Sequence, residues 1–293
     1  MKSIRLIVFI LLCLPALKPW ADTLAIIQPR ETELTRAFVE TLRQYQPEGA
    51  LQVRLLGDET DLSSARVLVT MGLEALQWRL QQRIDTPTIA TYITLDQLGP
   101  DAQYPDFVHV LLASPKPERQ LILASLLLPR LQAAGVLHSR QQQWQTALWQ
   151  RAAEHRQLRL VVQQVDQPQE LLRSLSSVLN TSDVLIGIDD PQIYNADTLK
   201  PILLTSYNRQ RVLIGPSAPF IAAGSLSTTY SSPQDMAHST HQLLQQQWQS
   251  GAIGYPQRFS VLSNAQVARS LGLPPPDDST LQRLIQDREQ ASP

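Results

Sequence analysis

The feature that most limits what this chain can fold into is an alternation of short apolar runs with segments carrying one apolar helical face. Thr23–Ile27 is a β-type run, and Leu34, Ala37, Phe38, Thr41, Leu42 and Tyr45 then share one helical face. Leu51–Leu56, Val67–Thr70 and Thr88–Tyr92 read as further strands, with a helix from Leu73 to about Ile84 between the last two, and Phe107–Leu112 closes the set. Beyond Ser114-Pro-Lys-Pro117, a helix from Glu118 to Leu131 opens a second set. It runs through strand Gly135–His138, helix Gln141–His155, strand Leu158–Gln164, helix Pro168–Leu179, strand Asp183–Ile188, helix Asp197–Tyr207 and strand Val212–Ile214. Strands that alternate with helices imply parallel sheets joined by right-handed crossovers, so the pattern predicts two similar α/β lobes. The late elements are a strand over Ser225–Tyr230, a helix opened by Ser232-Pro233, a strand at Phe259–Leu262, a short helix capped by Asn264 and a polar tail helix from Ser279.

In an open parallel sheet the ligand crevice lies beyond the carboxyl ends of the strands, which directs attention to the residues there. The stretch Asp183-Val-Leu-Ile-Gly-Ile-Asp-Asp-Pro-Gln-Ile-Tyr194 ends a buried strand in two carboxylates, Asp189 and Asp190, and Pro191 then stops the ladder. Either carboxylate suits a ligand amine or hydroxyl, and either also suits a cap on the following turn. Ser139 and Ser217 follow two other strands and carry the same two readings, ligand contact or helix cap. Tyr194 and Phe220 offer rings for stacking, or simply for packing.

These pieces, with Gly224-Ser-Leu226 and the ending Asn264-Ala-Gln-Val-Ala-Arg-Ser-Leu-Gly-Leu273, resemble the substrate-binding proteins of bacterial ABC importers, in the branch related to aromatic-amino-acid uptake. The resemblance spans nearly the whole chain beyond the N-terminal segment. It implies a type 1 periplasmic-binding-protein fold, two Rossmann-like lobes hinged by three crossovers. The expected layout is 22–112 plus 222–254 for one lobe and 113–221 plus 255–293 for the other. It also implies a small solute as ligand and an ABC permease as partner. The alternative is a sensory or accessory protein of the same fold, acting with a membrane sensor kinase or an outer-membrane uptake system. Thr70 resembles the threonine of the family's Gly-Thr-x-Ala segment, although here it precedes the glycine in Thr70-Met-Gly72. Tyr92 stands where the family runs into a Thr-Asp-Pro segment, and here the text is Tyr92-Ile-Thr-Leu-Asp96. Strand-end position nominates Ser139, Asp189, Asp190 and Ser217 as ligand-binding residues, and the resemblance adds Thr70 and Tyr92.

Composition narrows the chemistry. Lys2 and Arg5, an apolar run from Leu6 to Leu17 and the turn Lys18-Pro19 have the layout of an export signal occupying residues 1–21, which predicts a periplasmic protein. Cys13 is the single cysteine and falls inside that run, so disulfides, thiolate catalysis and Cys-ligated metal are not expected in the exported chain. Removing Lys2, Arg5 and Lys18 leaves 22 basic against 26 acidic side chains, a formal charge of −4 that does not suit nucleic acid as a partner. There is no Gly-x-Ser-x-Gly elbow, phosphate-cradling loop or His-Glu-x-x-His helix, so neither an enzyme nor a cofactor is expected, and the protein is expected to be a monomer. His238-x-x-His241 sets two imidazoles three apart on a helix without an evident third metal ligand, and is read as a solvent-facing pair. The glutamine runs, Gln141–Gln143 among them, read as solvated helix faces.

Overall fold

The computed structural model describes residues 23–58, 62, 65–246 and 251–291. The expected export signal over 1–21, Cys13 included, lies outside the described residues. The chain begins with β1 (Thr23–Gln28), α1 (Glu33–Arg43), β2 (Leu51–Leu55), β3 (Ala65–Met71), α2 (Leu73–Gln81), β4 (Thr88–Ile93), α3 (Leu95–Leu98) and β5 (Val108–Leu112). It continues through α4 (Pro117–Leu127), β6 (Ala133–Ser139), a 3-10 segment (Arg140–Gln145), α5 (Thr146–His155), β7 (Arg159–Val165), a 3-10 turn (Pro168–Glu170) and α6 (Leu171–Thr181). Next come β8 (Val184–Ile186), α7 (Ala196–Asn208), β9 (Val212–Ile214), α8 (Pro219–Ala223) and β10 (Ser227–Tyr230). The last elements are α9 (Pro233–Gln245), β11 (Ile253–Gly254), β12 (Ser260–Ser263), α10 (Ala265–Ser270) and α11 (Asp278–Gln290).

Two six-stranded sheets result, ordered β11-β5-β4-β3-β1-β2 and β12-β10-β9-β8-β6-β7. All pairings are parallel except β10 with β12. In each sheet the first strand lies between the second and third, so the winding direction reverses at β1/β3 and again at β6/β8. A ligand crevice opens beyond the carboxyl ends of strands at such a reversal. Register decides which residues share that edge: Ile27 pairs with Thr70, Thr70 with Ala90, and Ile186 with Ile214.

Local sequence explains the element ends. Thr32, Asn195 and Ser232 each accept a backbone N–H in the first turn of α1, α7 and α9, and the residue three further on returns the bond to the cap's own N–H. Pro117 and Pro233 stand in first turns, where no N–H is required. α4 ends at Leu127, earlier than its apolar pattern predicts, because Pro129 disfavours helical backbone at Leu128. Gly135 has no room for a side chain: a Cβ there would sit 2.3 Å from Val178 Cγ1, which is how closely α6 lies on β6. The cores are apolar on this plan, with Ile26, Phe38, Leu42, Val69 and Met236 in the first lobe and Val136, Leu175, Val178, Ile186 and Leu213 in the second. Burying each such side chain contributes about 1.5–3 kcal/mol.

The chain crosses between lobes three times, but not where the sequence places the second crossing. Residues 222–230 belong to the second lobe, because β10 pairs with β9 and β12 there, and the return to the first lobe comes at Ser231-Ser232. Gln120, fully buried on α4, supplies the physical reason. Its Nε2 donates to the Gly215 carbonyl (2.9 Å) and to Thr228 Oγ1 (3.2 Å), and its Oε1 accepts from the Thr229 N–H (2.9 Å). A polar strand reading Ser-Thr-Thr-Tyr is thereby buried beside α4 at little electrostatic cost. The other two crossings follow β5 and β11.

Near these crossings Arg119 reaches out of α4. Its guanidinium donates to Glu289 Oε2 (2.7 Å) on α11 and to the carbonyls of Pro256 (2.8 Å) and Gln257 (3.4 Å), and it lies 4.3 Å over the Phe259 ring. α11 and the third crossing are thus fastened to α4 by one side chain. Replacing Gln120 with methionine, which keeps length but leaves the Thr229 N–H without its acceptor, is expected to destabilise the protein by about 1–3 kcal/mol. Urea unfolding read by circular dichroism measures that loss.

Candidate functional site

The carboxyl ends of the strands in both sheets hold a set of buried polar atoms without partners. They include Gln28 Oε1 at the end of β1, Thr70 Oγ1 near the end of β3, the Tyr92 hydroxyl on β4 and Ser139 Oγ at the end of β6. Gln145 Oε1 and Asp189 Oδ2 add two more from the segments after β6 and β8. An unpaired polar atom inside a protein costs about 1–3 kcal/mol, and these six of the fourteen such atoms among the described residues are positioned to receive hydrogen bonds at the strand ends.

Each nominated residue has a definite place. Thr70 is fully buried; its carbonyl accepts from Thr91 Oγ1 (3.0 Å) while its own hydroxyl is unengaged. Two residues on, Gly72 opens α2 at φ +84° with no side-chain cap, which leaves the N–H groups of that first turn facing the same edge beside Glu74. Tyr92 takes φ +59°, left-handed backbone that a tyrosine rarely adopts, and the β4–β5 register shifts there. Its ring meets Phe38 edge-on at 5.7 Å. Burial drives the Tyr92 phenol well above its ordinary range, and the negative charge of Asp235 adds to the effect. Ser217 lies half-buried in the turn into α8, its carbonyl accepting from the Phe220 N–H (3.1 Å). Gly187 lets that turn approach: a Cβ on it would meet Pro216 Cδ at 2.6 Å.

The two aspartates part company. Asp190 is buried and engaged within its own lobe, accepting from the Ser139 N–H (2.5 Å) and the Gln192 N–H (3.1 Å), so it ties the end of β6 to the loop after β8. Tyr194 is similarly internal, its hydroxyl donating to the Ile186 carbonyl and its ring edge-on to Phe220. Asp189 instead reaches the other lobe. Its carboxyl faces Ser114, whose hydroxyl oxygen accepts from the Leu95 N–H (2.7 Å), and the Asp96 carboxylate stands near. Burial, with the Asp96 charge adding and the Ser114 hydroxyl opposing, pushes it from 3.8 up to about 6.

Sequence reasoning missed the glutamines beside it. Gln142 and Gln145 are buried, not solvated, because Arg140–Gln145 is a 3-10 segment in which residues three apart eclipse. Gln145 Nε2 donates to the Asp189 carbonyl (2.8 Å) and to Gln142 Oε1 (2.8 Å), and Gln142 also accepts from Trp144 Nε1 (3.1 Å). Gln142 Nε2 reaches the Asp96 carbonyl at 3.5 Å, and Trp144 and Leu148 pack on the first-lobe core around Leu76, Ile93 and Leu95. The lobes therefore touch across this edge, with Asp189 in the seam.

His238 and His241 serve the packing of α9 on α1. Tyr45 stacks on His241 with ring centres 4.4 Å apart and places its hydroxyl 3.2 Å from His238 Nδ1. Burial lowers both imidazoles, and Arg258 and each other's charge add for His238. Among the described residues no group of three or more His, Cys, Asp or Glu is arranged to hold a metal, and no helix is long and apolar enough to cross a membrane.

No family model matches the sequence, and no curated protein matches it. Solved structures do. A substrate-binding protein with adhesive properties from Clostridium difficile, in its ligand-free open form, is 14% identical, with 87% of this chain and 96% of that one covered at a TM-score of 0.67. The chain has the fold of a type 1 periplasmic binding protein. An ABC domain from Streptococcus pneumoniae in complex with L-Trp matches at 14% identity, over 88% of this chain and 96% of that one, with a TM-score of 0.53. In this fold the crevice between lobes is the place for a ligand, and six of the unpartnered atoms lie at the strand ends that border it.

The Asp189 shift fixes a pH dependence. The unfolded carboxyl ionises near 3.8 and the folded one near 6, so the folded protein holds an extra proton between those values. The stability that Asp189 contributes is complete below pH 3.8 and is lost as pH rises to about 6. Asp189→Asn is expected to abolish that slope and to stabilise the ligand-free protein at pH 7 by roughly 1–2 kcal/mol. Thermal unfolding of both proteins across that pH interval is the measurement.

Proposed function

We propose that the protein is a periplasmic solute-binding component of an ABC importer, capturing a small molecule between its lobes and presenting it to the membrane permease. The observation that carries this is the set of buried, unpartnered polar atoms contributed by both lobes to one edge, Thr70, Tyr92 and Gln28 from the first and Ser139, Gln145 and Asp189 from the second. A ligand touching both lobes shifts the open–closed equilibrium by its differential affinity for the closed form. A carboxylate on one side and the uncapped turn of α2 on the other suit a molecule with separated cationic and anionic groups. That description fits an amino acid or a similar zwitterion. The L-Trp complex of the pneumococcal structure agrees with it. Binding without bond-making, after export directed by residues 1–21, completes the proposal.

Titration calorimetry against amino acids, with small-angle scattering to follow closure, tests it. Saturable binding with a smaller radius of gyration is expected, and Asp189→Ala is expected to weaken binding by tenfold or more while Asp197→Ala, on the exposed start of α7, leaves it unchanged. Failure of every zwitterion to bind or to compact the protein overturns the proposal.

A further inference from the structure

A cavity of about 670 Å³ lies beside the crossings, away from the strand ends. None of the nominated ligand-binding residues lines it. One wall is the start of α4 with the first crossing, another is the outer face of α5, and Tyr255 of the third crossing supplies the remaining side. Its volume is that of a small-molecule site. Pro117, Leu148, Ala152 and the Tyr255 ring give it apolar walls.

The charged groups at its rim are not equivalent. Lys116 is paired with Glu289 (2.7 Å) and Glu118 (3.5 Å), and Glu118 is held by Arg156 (2.8 Å) and meets His155 (3.3 Å). Glu154 accepts from Gln150 Nε2 (2.8 Å). The Arg151 side chain has no ion pair or hydrogen bond among the described residues. One uncommitted guanidinium above apolar and aromatic walls selects for a molecule with an anionic head and an apolar body, because carboxylates bind guanidinium in a bidentate manner and rings pack on rings.

We propose that this cavity is a second binding site, distinct from the crevice, for a small aromatic carboxylate whose anionic group pairs with Arg151 and whose ring packs between Leu148, Ala152 and Tyr255. Two of its walls are crossings that must bend when the lobes move, so an occupant contacts the hinge itself. Tyr255 links the two places. Its phenol lies close enough to Asp189 and Arg119 for both charges to act on it, Asp189 raising and Arg119 lowering its proton affinity beneath the larger effect of burial.

The test uses 3-phenylpropanoate, with 3-phenylpropan-1-ol and 3-phenylpropylammonium as isosteric controls, titrated by calorimetry and by saturation-transfer NMR. The carboxylate is expected to bind saturably and at least tenfold more tightly than either control. Arg151→Ala is expected to remove that preference, Arg151→Lys to restore part of it, and Ala152→Trp to exclude all three probes. Asp189→Asn separates this site from the crevice and is expected to leave a saturable carboxylate complex. Circular dichroism confirms that each variant is folded. Equal affinity for the three probes, binding indifferent to both Arg151→Ala and Ala152→Trp, or binding abolished by Asp189→Asn overturns the proposal.

Discussion

The fastening of the C-terminal helix and the third crossing to α4 depends on one buried guanidinium. Arg119 is nearly inaccessible to water, and a charge in that position persists only with an opposite charge and further acceptors around it. Glu289 gives the charge, the Pro256 and Gln257 carbonyls give the acceptors, and the Phe259 ring covers one face. These partners come from the C-terminal helix, the third crossing and the strand that follows it. The C-terminal helix is therefore part of the hinge and not an appendage, and Lys116 on the first crossing shares the same glutamate.

Several buried polar side chains outside the crevice fix backbone segments. Asp183 Oδ2 accepts from the N–H groups of Gln132 and Ala133, both at 2.9 Å, and so ties the start of the β6 strand to the loop before β8. Arg79, fully buried, donates to the carbonyls of Ile84 and Thr86 and to the Thr88 hydroxyl, and so shapes the approach to β4. Gln120 engages both ends of its amide. At the adjoining strand ends Thr70 Oγ1, Ser139 Oγ and Asp189 Oδ2 have no hydrogen-bond partner within the protein, as is also true of Arg79 Nη1 and several other buried atoms outside the crevice.

Much of the architecture was legible because its signals are periodic. Apolar runs such as Val184–Ile186 and the face of α1 need no tertiary context, and the Ser232-Pro233 opening of α9 is local capping chemistry. What escaped is non-local. The polar strand β10 carries no mark of its lobe, since its place is decided by Gln120, more than a hundred residues earlier in the chain. β11 has two residues and no pattern to read. At the candidate site, strand-end position singles out Ser139 and Asp189, and the family resemblance Thr70 and Tyr92. It could not tell Asp189 from Asp190, because the difference lies in which backbone N–H groups each meets. Gln142 reads as solvated when a 3.6-residue period is applied where the backbone follows a period of three, and Gln145 carries no signal of its own.

The threading of the chain through both lobes bears on how the protein is made. The sheet containing β1 to β5 acquires its last strand, β11, and its helix α9 only after β6 to β10 of the other lobe have been synthesised. At about 5–20 residues per second, β5 leaves the ribosome with a bare edge that stays uncovered for roughly ten seconds. Such an edge is open to pairing with another nascent chain. The short, late β11 thus acts as a seal on a half-built layer, and the order of translation obliges the N-terminal unit to wait for it.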